Sequence, residues 1–279
     1  MDRYAAQKHK ELTNILERHA SPRSPWLPAE RRAGPVALAE HRANHCVVCF
    51  PPAGAGAGVF RAWPSSLPRH RLAPVQLPGR EERFGEEPME DAKAMARAVA
   101  AAISAEDWES VVLLGYSFGA LMAFETAYLL EQQGLSICHL IACARAAPQS
   151  RPQDTVADLP DEEFLAYVRD LGGLPDEVEA EPELIEIVLP ILRADFRAND
   201  SYFQPADVCI KAPITTISGR GDPATSHGRD EAWSERTSGC HKLVSVDGGH
   251  FFILEEPEIT FDHIDDVLAS STRTARSPQ

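Results

Sequence analysis

The sequence of 279 residues has no hydrophobic stretch that could cross a membrane. A spanning helix needs roughly 18 or more apolar residues in succession, and charged residues interrupt every run before that length. Residues 1–20 carry charges throughout and lack the apolar segment of a secretory signal, so we expect a soluble, cytoplasmic protein with no membrane partner.

Positive charge is scarce, because 27 Lys and Arg residues stand against 42 Asp and Glu, a formal net charge of −15. Nucleic-acid binding needs a concentrated basic surface, so this balance argues against nucleic acid as the main partner. The deficit is uneven, since residues 1–45 contain eight Lys or Arg and only five Asp or Glu. The N-terminal segment therefore differs in composition from the rest.

Cysteine is also sparse, and most of the six residues lie in apolar, strand-like contexts that favour buried thiols over a disulfide framework. They are Cys46, Cys49, Cys138, Cys143, Cys209 and Cys240. The "CVVC" at 46–49 has the spacing of a redox or zinc site, but neighbouring side chains of a strand alternate between faces. Cys46 and Cys49 are therefore predicted to lie in the core on opposite faces.

Strand-like and helix-like segments alternate through the middle of the chain. Strands are predicted at 45–50, 70–77, 111–116, 139–144, 212–219 and 242–249, with helices at 89–103, 119–134 and 256–270. The run "SVVLLGYS" is apolar throughout, as in strands buried on both faces of a parallel sheet. This order predicts an α/β fold with a doubly wound, mostly parallel sheet.

The two ends and one internal segment interrupt this pattern. Residues 1–44 are predicted to be an N-terminal extension, partly flexible, which either docks on the body or stays poorly ordered. Residues 45–270 form the predicted main domain, and 271–279 the predicted disordered tail. Between about 148 and 205 the sequence predicts two apolar-faced helical runs but no strand, so a helical lid or an extension of the core is expected there.

One sequence motif indicates a catalytic residue. Gly115-Tyr116-Ser117-Phe118-Gly119 fits G-x-S-x-G and has a buried strand before it and a helix after it. A serine on such a sharp turn needs small residues two positions away on each side, because side chains there would collide. Ser117 is therefore predicted to be a nucleophile, a role that requires a histidine base and an acid.

The base and the acid follow in the order expected for this architecture, each after a predicted strand. "ISGRGDP" places Asp222 and "VDGGHFF" places His250 at strand ends. The main competing base is His227, which lies in a loop and does not follow a strand. Among rival acids, Asp247 is too near His250 along the chain, and Asp195 and Asp200 fall in the predicted lid.

Two backbone N–H groups are needed to stabilise the oxyanion of an acyl-transfer intermediate. The residue after the nucleophile, Phe118, supplies one, and the loop after the first strand supplies the other. In that loop, Pro51 and Pro52 have no N–H group to donate. Ala53 is therefore the predicted second donor.

With these residues assembled, the chain resembles the type II thioesterases of polyketide and nonribosomal peptide biosynthesis, which have an α/β-hydrolase fold. The similarity covers roughly residues 46–268 and rests on six segments in the family's order. They are "CFPPAGAGAGVFRAWPSSL", "VQLPGREERFGEEP", "LLGYSFGALMAFETA", "LPILRADFRANDSY", "PITTISGRGDP" and "GGHFFILEE".

The resemblance implies hydrolysis of an acyl group from the phosphopantetheine arm of an acyl or peptidyl carrier protein, which would bind weakly and transiently. It implies an acylated Ser117, proton transfer by His250, orientation of His250 by Asp222, and a flexible lid. No metal and no cofactor beyond the carrier's own phosphopantetheine are expected. The chain departs from the family at Pro52, where histidine is common, and in its longer N-terminal extension.

The sequence leaves open how a carrier would dock and whether the chain has a different function. Carriers are typically acidic, so a chain of this charge needs a local basic or apolar patch, and five arginines are predicted near the mouth of the site. They are Arg80, Arg83, Arg193, Arg197 and Arg220. The same triad would serve a small-molecule ester hydrolase or an acyltransferase, and a catalytically dead docking module is a further alternative.

Overall fold

A six-stranded parallel sheet forms the centre of the computed structural model, which describes residues 24–28, 45–108, 110–150, 155–225, 228–255 and 257–274. The strand order is β2-β1-β3-β4-β5-β6. The strands are β1 (His45–Phe50), β2 (Leu72–Pro74), β3 (Ser110–Tyr116), β4 (His139–Cys143), β5 (Ile214–Gly219) and β6 (His241–Val246).

Helices cover both faces of this sheet. They are α1 (Trp63–Ser66), α2 (Ala92–Ser104), α3 (Phe118–Gln132), α4 (Asp161–Asp170), α5 (Asp176–Glu179), α6 (Pro182–Ser201), α7 (Phe252–Glu255) and α8 (Pro257–Thr274). Short 3₁₀ helices occupy Ala57–Phe60, Glu81–Arg83 and Glu231–Arg236. Apolar residues of α2 and α3 pack on one face of the sheet, and those of α8 pack on the other. The predicted α/β-hydrolase fold is confirmed.

The central strands are apolar throughout because both of their faces are buried. In β1, Cys46 belongs to the core on one face of the sheet and Cys49 to the core on the other. The placement of the "CVVC" thiols on opposite faces is therefore confirmed. Burial raises the pKa of the Cys49 thiol well above its usual value. By contrast, Cys209 and Cys240 are exposed, so burial does not hold for all six cysteines.

The order of the strands creates a crevice at the carboxyl ends of β1 and β3. From β1 the chain moves outward to the edge strand β2, and then returns to place β3 on the other side of β1. The loops that follow β1 and β3 therefore lead away in opposite directions, which is where open α/β sheets bind their ligands. The predicted nucleophile and the predicted oxyanion loop both lie at this point.

Helices α4, α5 and α6 form the helical insertion between β4 and β5. They have an apolar cluster of their own, centred on Phe164, Val168 and Leu192. The first half of α6 leaves Leu184 and Ile187 substantially exposed, whereas its second half is buried against the core of the sheet. The insertion is thus a layer anchored at one end of α6 rather than an enlargement of the main core.

One strand and one helix have boundaries that differ from those predicted. Strand β2 is limited to the three residues Leu72–Pro74 at the edge of the sheet. Helix α8 continues through Thr274, so it extends past residue 270 into the predicted disordered tail, whose remaining residues lie outside the described part.

Most of the predicted N-terminal extension lies outside the described part of the chain. The described residues 24–28 pack on the body: Leu27 is in the core, and the Trp26 carbonyl accepts a hydrogen bond from the Gln76 N–H.

Three histidines at or near the starts of strands form hydrogen bonds with other side chains. His70 is buried and bonds Asp265, while His139 and His241 bond the Thr215 and Thr216 hydroxyls at 2.9 and 3.0 Å. Burial lowers the pKa of His139 to about 4.

Replacing His139 by glutamine is expected to change how stability depends on pH. The unfolded chain protonates His139 near pH 6.5, whereas the folded chain resists protonation until about pH 4. The unfolded state therefore binds more protons within that window, and folding stability falls as the pH is lowered through it. The wild-type free energy of unfolding, relative to His139→Gln, should drop by roughly 2–3 kcal/mol from pH 6.5 to 4 in urea titrations. A difference that stays constant across this range would contradict the assignment.

Candidate active site

Ser117 lies on a sharp turn between β3 and α3. Its backbone has φ 52° and ψ −117°, a left-handed conformation that is strained for any residue other than glycine. A Cβ at Gly115 would overlap the backbone of Gly119 and Ala120, and a Cβ at Gly119 would overlap the carbonyl groups of Phe50 and Pro51. Both glycines of the motif are therefore required for the turn that raises Ser117 above the edge of the sheet.

Ser117, His250 and Asp222 form a continuous hydrogen-bonded chain. His250 Nδ1 lies 2.9 Å from Asp222 Oδ2, and His250 Nε2 lies 2.9 Å from Ser117 Oγ. An ionised carboxylate can only accept, so Nδ1 carries the proton and Nε2 accepts from the serine hydroxyl. This is the tautomer in which histidine can act as a general base toward serine.

The loops after β5 and β6 hold the acid and the base against each other. The Gly221 N–H donates to the Gly248 carbonyl at 2.9 Å, which joins the two loops directly. A Cβ at Gly219 would overlap the carbonyls of Gly248 and Gly249, so this close approach requires glycine. Asp222 is only 2% exposed, and its second carboxylate oxygen accepts from the Ala224 N–H at 2.8 Å. Its carboxylate is consequently fixed from two sides.

The position of the His250 backbone depends on the residue before the nucleophile. The Tyr116 hydroxyl donates to the His250 carbonyl at 2.5 Å, and its ring packs near those of Phe251 and Phe252. Sequence reasoning missed this role, because the second position of G-x-S-x-G accepts many residue types. A tyrosine in a buried strand end, where its hydroxyl needs a partner, was the available signal.

Removal of that hydroxyl in Tyr116→Phe is expected to lower kcat by up to about tenfold, since one hydrogen bond is worth roughly 1 kcal/mol. KM should stay within a factor of two, because the ring that faces the pocket is retained. Steady-state kinetics on a soluble acyl thioester would measure both values. A larger change in KM than in kcat would indicate that Tyr116 acts on substrate binding instead.

The two predicted oxyanion donors lie in segments that pack against each other. Phe118 begins α3, so its N–H has no acceptor within the helix. Ala53 lies in the loop after β1, and within the described ranges its N–H donates no hydrogen bond to the protein. That loop lies directly against the start of α3, because the Phe50 and Pro51 carbonyls contact Gly119. The oxyanion role of the two N–H groups remains a prediction.

The rival acids are engaged elsewhere. Asp247 is exposed and pairs with Arg220, and Asp200 accepts from the N–H groups at the start of the insertion, including that of Val156 at 3.0 Å. Asp195 is fully buried in an ion pair with Arg80. His227, the rival base, lies outside the described residues.

An apolar cavity of about 330 Å³ adjoins the triad. Its walls come from the loop after β1, from Phe60 and Trp63, from Tyr116 and Phe251, and from residues 172–192 of the helical insertion. Because its walls are almost wholly apolar, the cavity suits a hydrocarbon group better than a charged one.

The five arginines predicted to form a basic patch are all paired with carboxylates, so the prediction of a basic docking patch is corrected. Each of the five arginines forms an ion pair, because acidic residues surround them in this strongly acidic chain. The pairs are Arg80 with Asp195, Arg83 with Glu86, Arg193 with Asp161, Arg197 with Glu90 and Asp158, and Arg220 with Asp247. Arg80 is moreover buried, at 4% exposure.

Residues 46–268, most of the chain, match the model of a family described as the thioesterase domain. The chain belongs to the thioesterase family. Thioesterase PikA5 of Streptomyces venezuelae is 34% identical to it over 230 residues, which cover 80% of this chain and 81% of that protein. Linear gramicidin dehydrogenase LgrE of Brevibacillus parabrevis is 36% identical over 258 residues, or 90% of this chain and 95% of that protein.

Solved structures place this thioesterase among the type II enzymes. The type II thioesterase BorB, from the borrelidin biosynthetic cluster, superposes with a TM-score of 0.77 at 34% identity, and the match covers 88% of this chain and 98% of BorB. The predicted resemblance is therefore confirmed, and the protein is a hydrolase of the serine type.

The described residues contain neither a membrane-spanning helix nor a cluster of metal ligands. No helix there is long and apolar enough to span a membrane, and no group of three or more His, Cys, Asp or Glu residues could hold a metal ion.

Proposed function

We propose that this thioesterase hydrolyses acyl groups from the phosphopantetheine arm of an acyl or peptidyl carrier protein, and so clears stalled or mis-primed chains from a biosynthetic assembly line. The observation that carries the proposal is the hydrogen-bonded chain of Ser117, His250 and Asp222 beside an apolar cavity. Ser117, His250 and Asp222 are the proposed catalytic residues.

The reaction follows from this geometry in two halves. Ser117 Oγ attacks the thioester carbonyl while its proton passes to His250 Nε2, and the oxyanion accepts from the N–H groups of Ala53 and Phe118. Collapse of this intermediate expels the phosphopantetheine sulfur, which takes the proton from His250. A water molecule then gives a proton to His250 Nε2 and attacks the acyl-serine. Collapse of the second intermediate releases a carboxylic acid, and the departing Ser117 Oγ takes the proton back from His250.

The carrier has to be bound without help from long-range attraction. The chain's net charge of −15 repels an acidic partner, and the five arginines that the sequence predicted near the mouth are already paired. Weak and transient binding suits an enzyme that samples many carriers, because a tight complex would block the assembly line. Phosphopantetheine arrives with the carrier, and the mechanism uses neither a metal nor a bound cofactor.

Acyl-chain preference provides the test of the proposal. With a carrier loaded with acetyl, butyryl, hexanoyl or longer groups, we expect kcat/KM to rise as methylene groups enter the cavity, and to fall once the chain exceeds it. Each buried methylene contributes about 0.8 kcal/mol, or roughly fourfold. Val188→Trp, which fills the cavity, should shift the optimum to shorter chains and leave acetyl hydrolysis unchanged. If no acyl-carrier of the series is hydrolysed while simple esters are, the carrier-bound substrate is wrong.

Competing functions with the same triad give different products. A small-molecule ester hydrolase would prefer simple esters, whereas an acyltransferase would give an ester or amide when a suitable acceptor is added. The intact hydrogen-bonded triad argues against a non-catalytic docking module. Chromatography of the acyl product separates these cases.

In the described part of the chain, the loop after β1 does not offer the nucleotide site that the dehydrogenase name of LgrE would require. Dinucleotide-binding folds offer the amides of the first βα turn to a pyrophosphate. In this chain the Gly54 amide donates to Asp195 at 2.7 Å and the Gly58 amide to Glu81 at 2.9 Å. Two carboxylates at these amides would repel a phosphate, which favours a hydrolase over a nucleotide-dependent dehydrogenase.

A further inference from the structure

Arg80 and Asp195 form a buried ion pair beside the predicted oxyanion loop. The guanidinium donates twice to the carboxylate, with Arg80 Nη1 at 2.6 Å from Oδ2 and Nη2 at 2.9 Å from Oδ1. The side chains are 5% and 0% exposed. Arg80 lies in the segment after β2, directly before the 3₁₀ helix Glu81–Arg83, and Asp195 lies in the second half of α6. The pair therefore joins the helical insertion to the main domain from inside the protein.

The same carboxylate also holds the loop after β1. Asp195 Oδ2 accepts from the Gly54 N–H at 2.7 Å, and Gly54 directly follows the predicted donor Ala53. Gly54 has φ +78°, and a Cβ there would overlap the side chain of Leu192, one turn before Asp195 in α6. The loop thus packs on this helix at a position that only glycine permits.

Arg80 is held in turn by the surrounding backbone. Its Nε donates to the Pro78 carbonyl at 3.2 Å, and Nη1 donates to the Ala55 carbonyl at 3.3 Å. The Arg80 carbonyl accepts from Gln76 Nε2 at 2.9 Å. The guanidinium consequently contacts the loop on one side and orients Asp195 on the other.

Stability alone does not account for such a pair. A buried ion pair loses so much hydration that apolar residues of similar size usually stabilise a fold at least as well. The pair instead orients the loop. The Gly54 N–H of the Ala53–Gly54 peptide donates to the Asp195 carboxylate, and two hydrogen bonds from Arg80 fix that carboxylate in turn. Oxyanion stabilisation depends on donors that are oriented before the charge develops.

We propose that Asp195, oriented by Arg80, is a positioning residue for the oxyanion hole. It fixes the Ala53–Gly54 peptide by its Gly54 N–H and, through the shared Ala53 Cα, restricts the adjoining Pro52–Ala53 peptide, which carries the Ala53 N–H. Because Asp195 belongs to α6, this donor is in place only when the second half of α6 is seated on the loop. The inference rests on the proposed function insofar as Ala53 donates to the oxyanion, but it does not depend on which acyl substrate is used.

A small alkyl fluorophosphonate tests the proposal without a carrier. Ser117 Oγ displaces fluoride from phosphorus, its proton passes to His250, and the phosphoryl oxygen occupies the oxyanion hole. We expect the labelling rate of Ser117 to fall by roughly 10-fold in Asp195→Asn and by up to about 10²-fold in the double variant Arg80→Met/Asp195→Leu. The double variant removes both charges and the Gly54 acceptor together, which protects folding. Thioester kcat should fall in parallel with KM unchanged.

Arg197→Met is the matched control. Arg197 lies two residues from Asp195 on the same helix and also pairs α6 with the main domain, through Glu90, but it has no hydrogen bond to the loop after β1 in the described structure. Its labelling rate should equal that of the wild type. A folded double variant, checked by circular dichroism, that is labelled at the wild-type rate would overturn the proposal. If the wild type is labelled normally but hydrolyses no acyl-carrier, the proposed function is refuted. The positioning role of Asp195 is then still decided by comparing the labelling rates of the variants with that of the wild type.

Discussion

Replacing Ser117 by alanine is expected to lower kcat for thioester hydrolysis by roughly 10⁵- to 10⁶-fold, the loss found when a serine nucleophile is removed from a triad. The loss should be this large because no hydroxyl or thiol group among the described residues shares the hydrogen bond to His250 Nε2. KM for an acyl thioester should change little, since the cavity is untouched. Release of free thiol, followed with a chromogenic reagent, measures the rate.

Folding of the Ser117→Ala variant has to be verified beside its activity. Ser117 has φ 52°, so alanine retains the same backbone strain and the turn should persist. Similar thermal unfolding of the two proteins would show this. Thioester hydrolysis at more than about a hundredth of the wild-type rate would contradict an acyl-serine mechanism, because only the oxyanion hole and substrate binding would remain.

Asp222→Asn is expected to lower kcat by about 10⁴-fold, by analogy with the same change in serine proteases. The asparagine amide can donate to His250 Nδ1 in place of accepting from it, which turns the ring to the tautomer with a proton on Nε2. That nitrogen then has no free lone pair for the Ser117 proton. The structure predicts this loss because Asp222 Oδ2 lies 2.9 Å from His250 Nδ1.

Asp247→Asn provides the control for that substitution. Asp247 lies three residues before His250 along the chain, but it is exposed and pairs with Arg220. Its replacement should leave kcat within a factor of two or so, since an exposed ion pair contributes at most about 1 kcal/mol even to stability. Equal losses from the two substitutions, measured on the same thioester, would mean that Asp222 has no special role in orienting His250.

Much of the main fold could be predicted from the pattern of apolar residues. Continuous apolar runs such as 111–116 indicate strands buried on both faces, and every predicted strand has a counterpart in the sheet. Chain order then placed Ser117, Asp222 and His250 at the same edge, since the carboxyl ends of parallel strands lie together. The structure adds the distances between their side chains and the strain at Ser117.

Contacts between distant segments could not be read in the same way. Arg80 and Asp195 are 115 positions apart, so no local pattern couples them, and charged residues are usually assumed to be exposed. Arg80 was accordingly predicted at the mouth of the site, whereas it is buried. A signal was present in "LPILRADFRAND", where Asp195 falls on the apolar side of the helix between Leu192 and Ala198. A charge at such a position needs a partner, but the sequence does not name it.

An acyl group is expected to move from a carrier to Ser117, and rapid-quench mass spectrometry tests this transfer most directly. Excess acyl-carrier is mixed with the enzyme, the reaction is stopped in acid within milliseconds to seconds, and the digested protein is searched for the acyl mass. We expect a transient adduct on the peptide that contains Ser117. In Ser117→Ala, both the adduct and the hydrolysis should be lost. An adduct on another residue, or hydrolysis by Ser117→Ala at the wild-type rate, would contradict acyl transfer to Ser117.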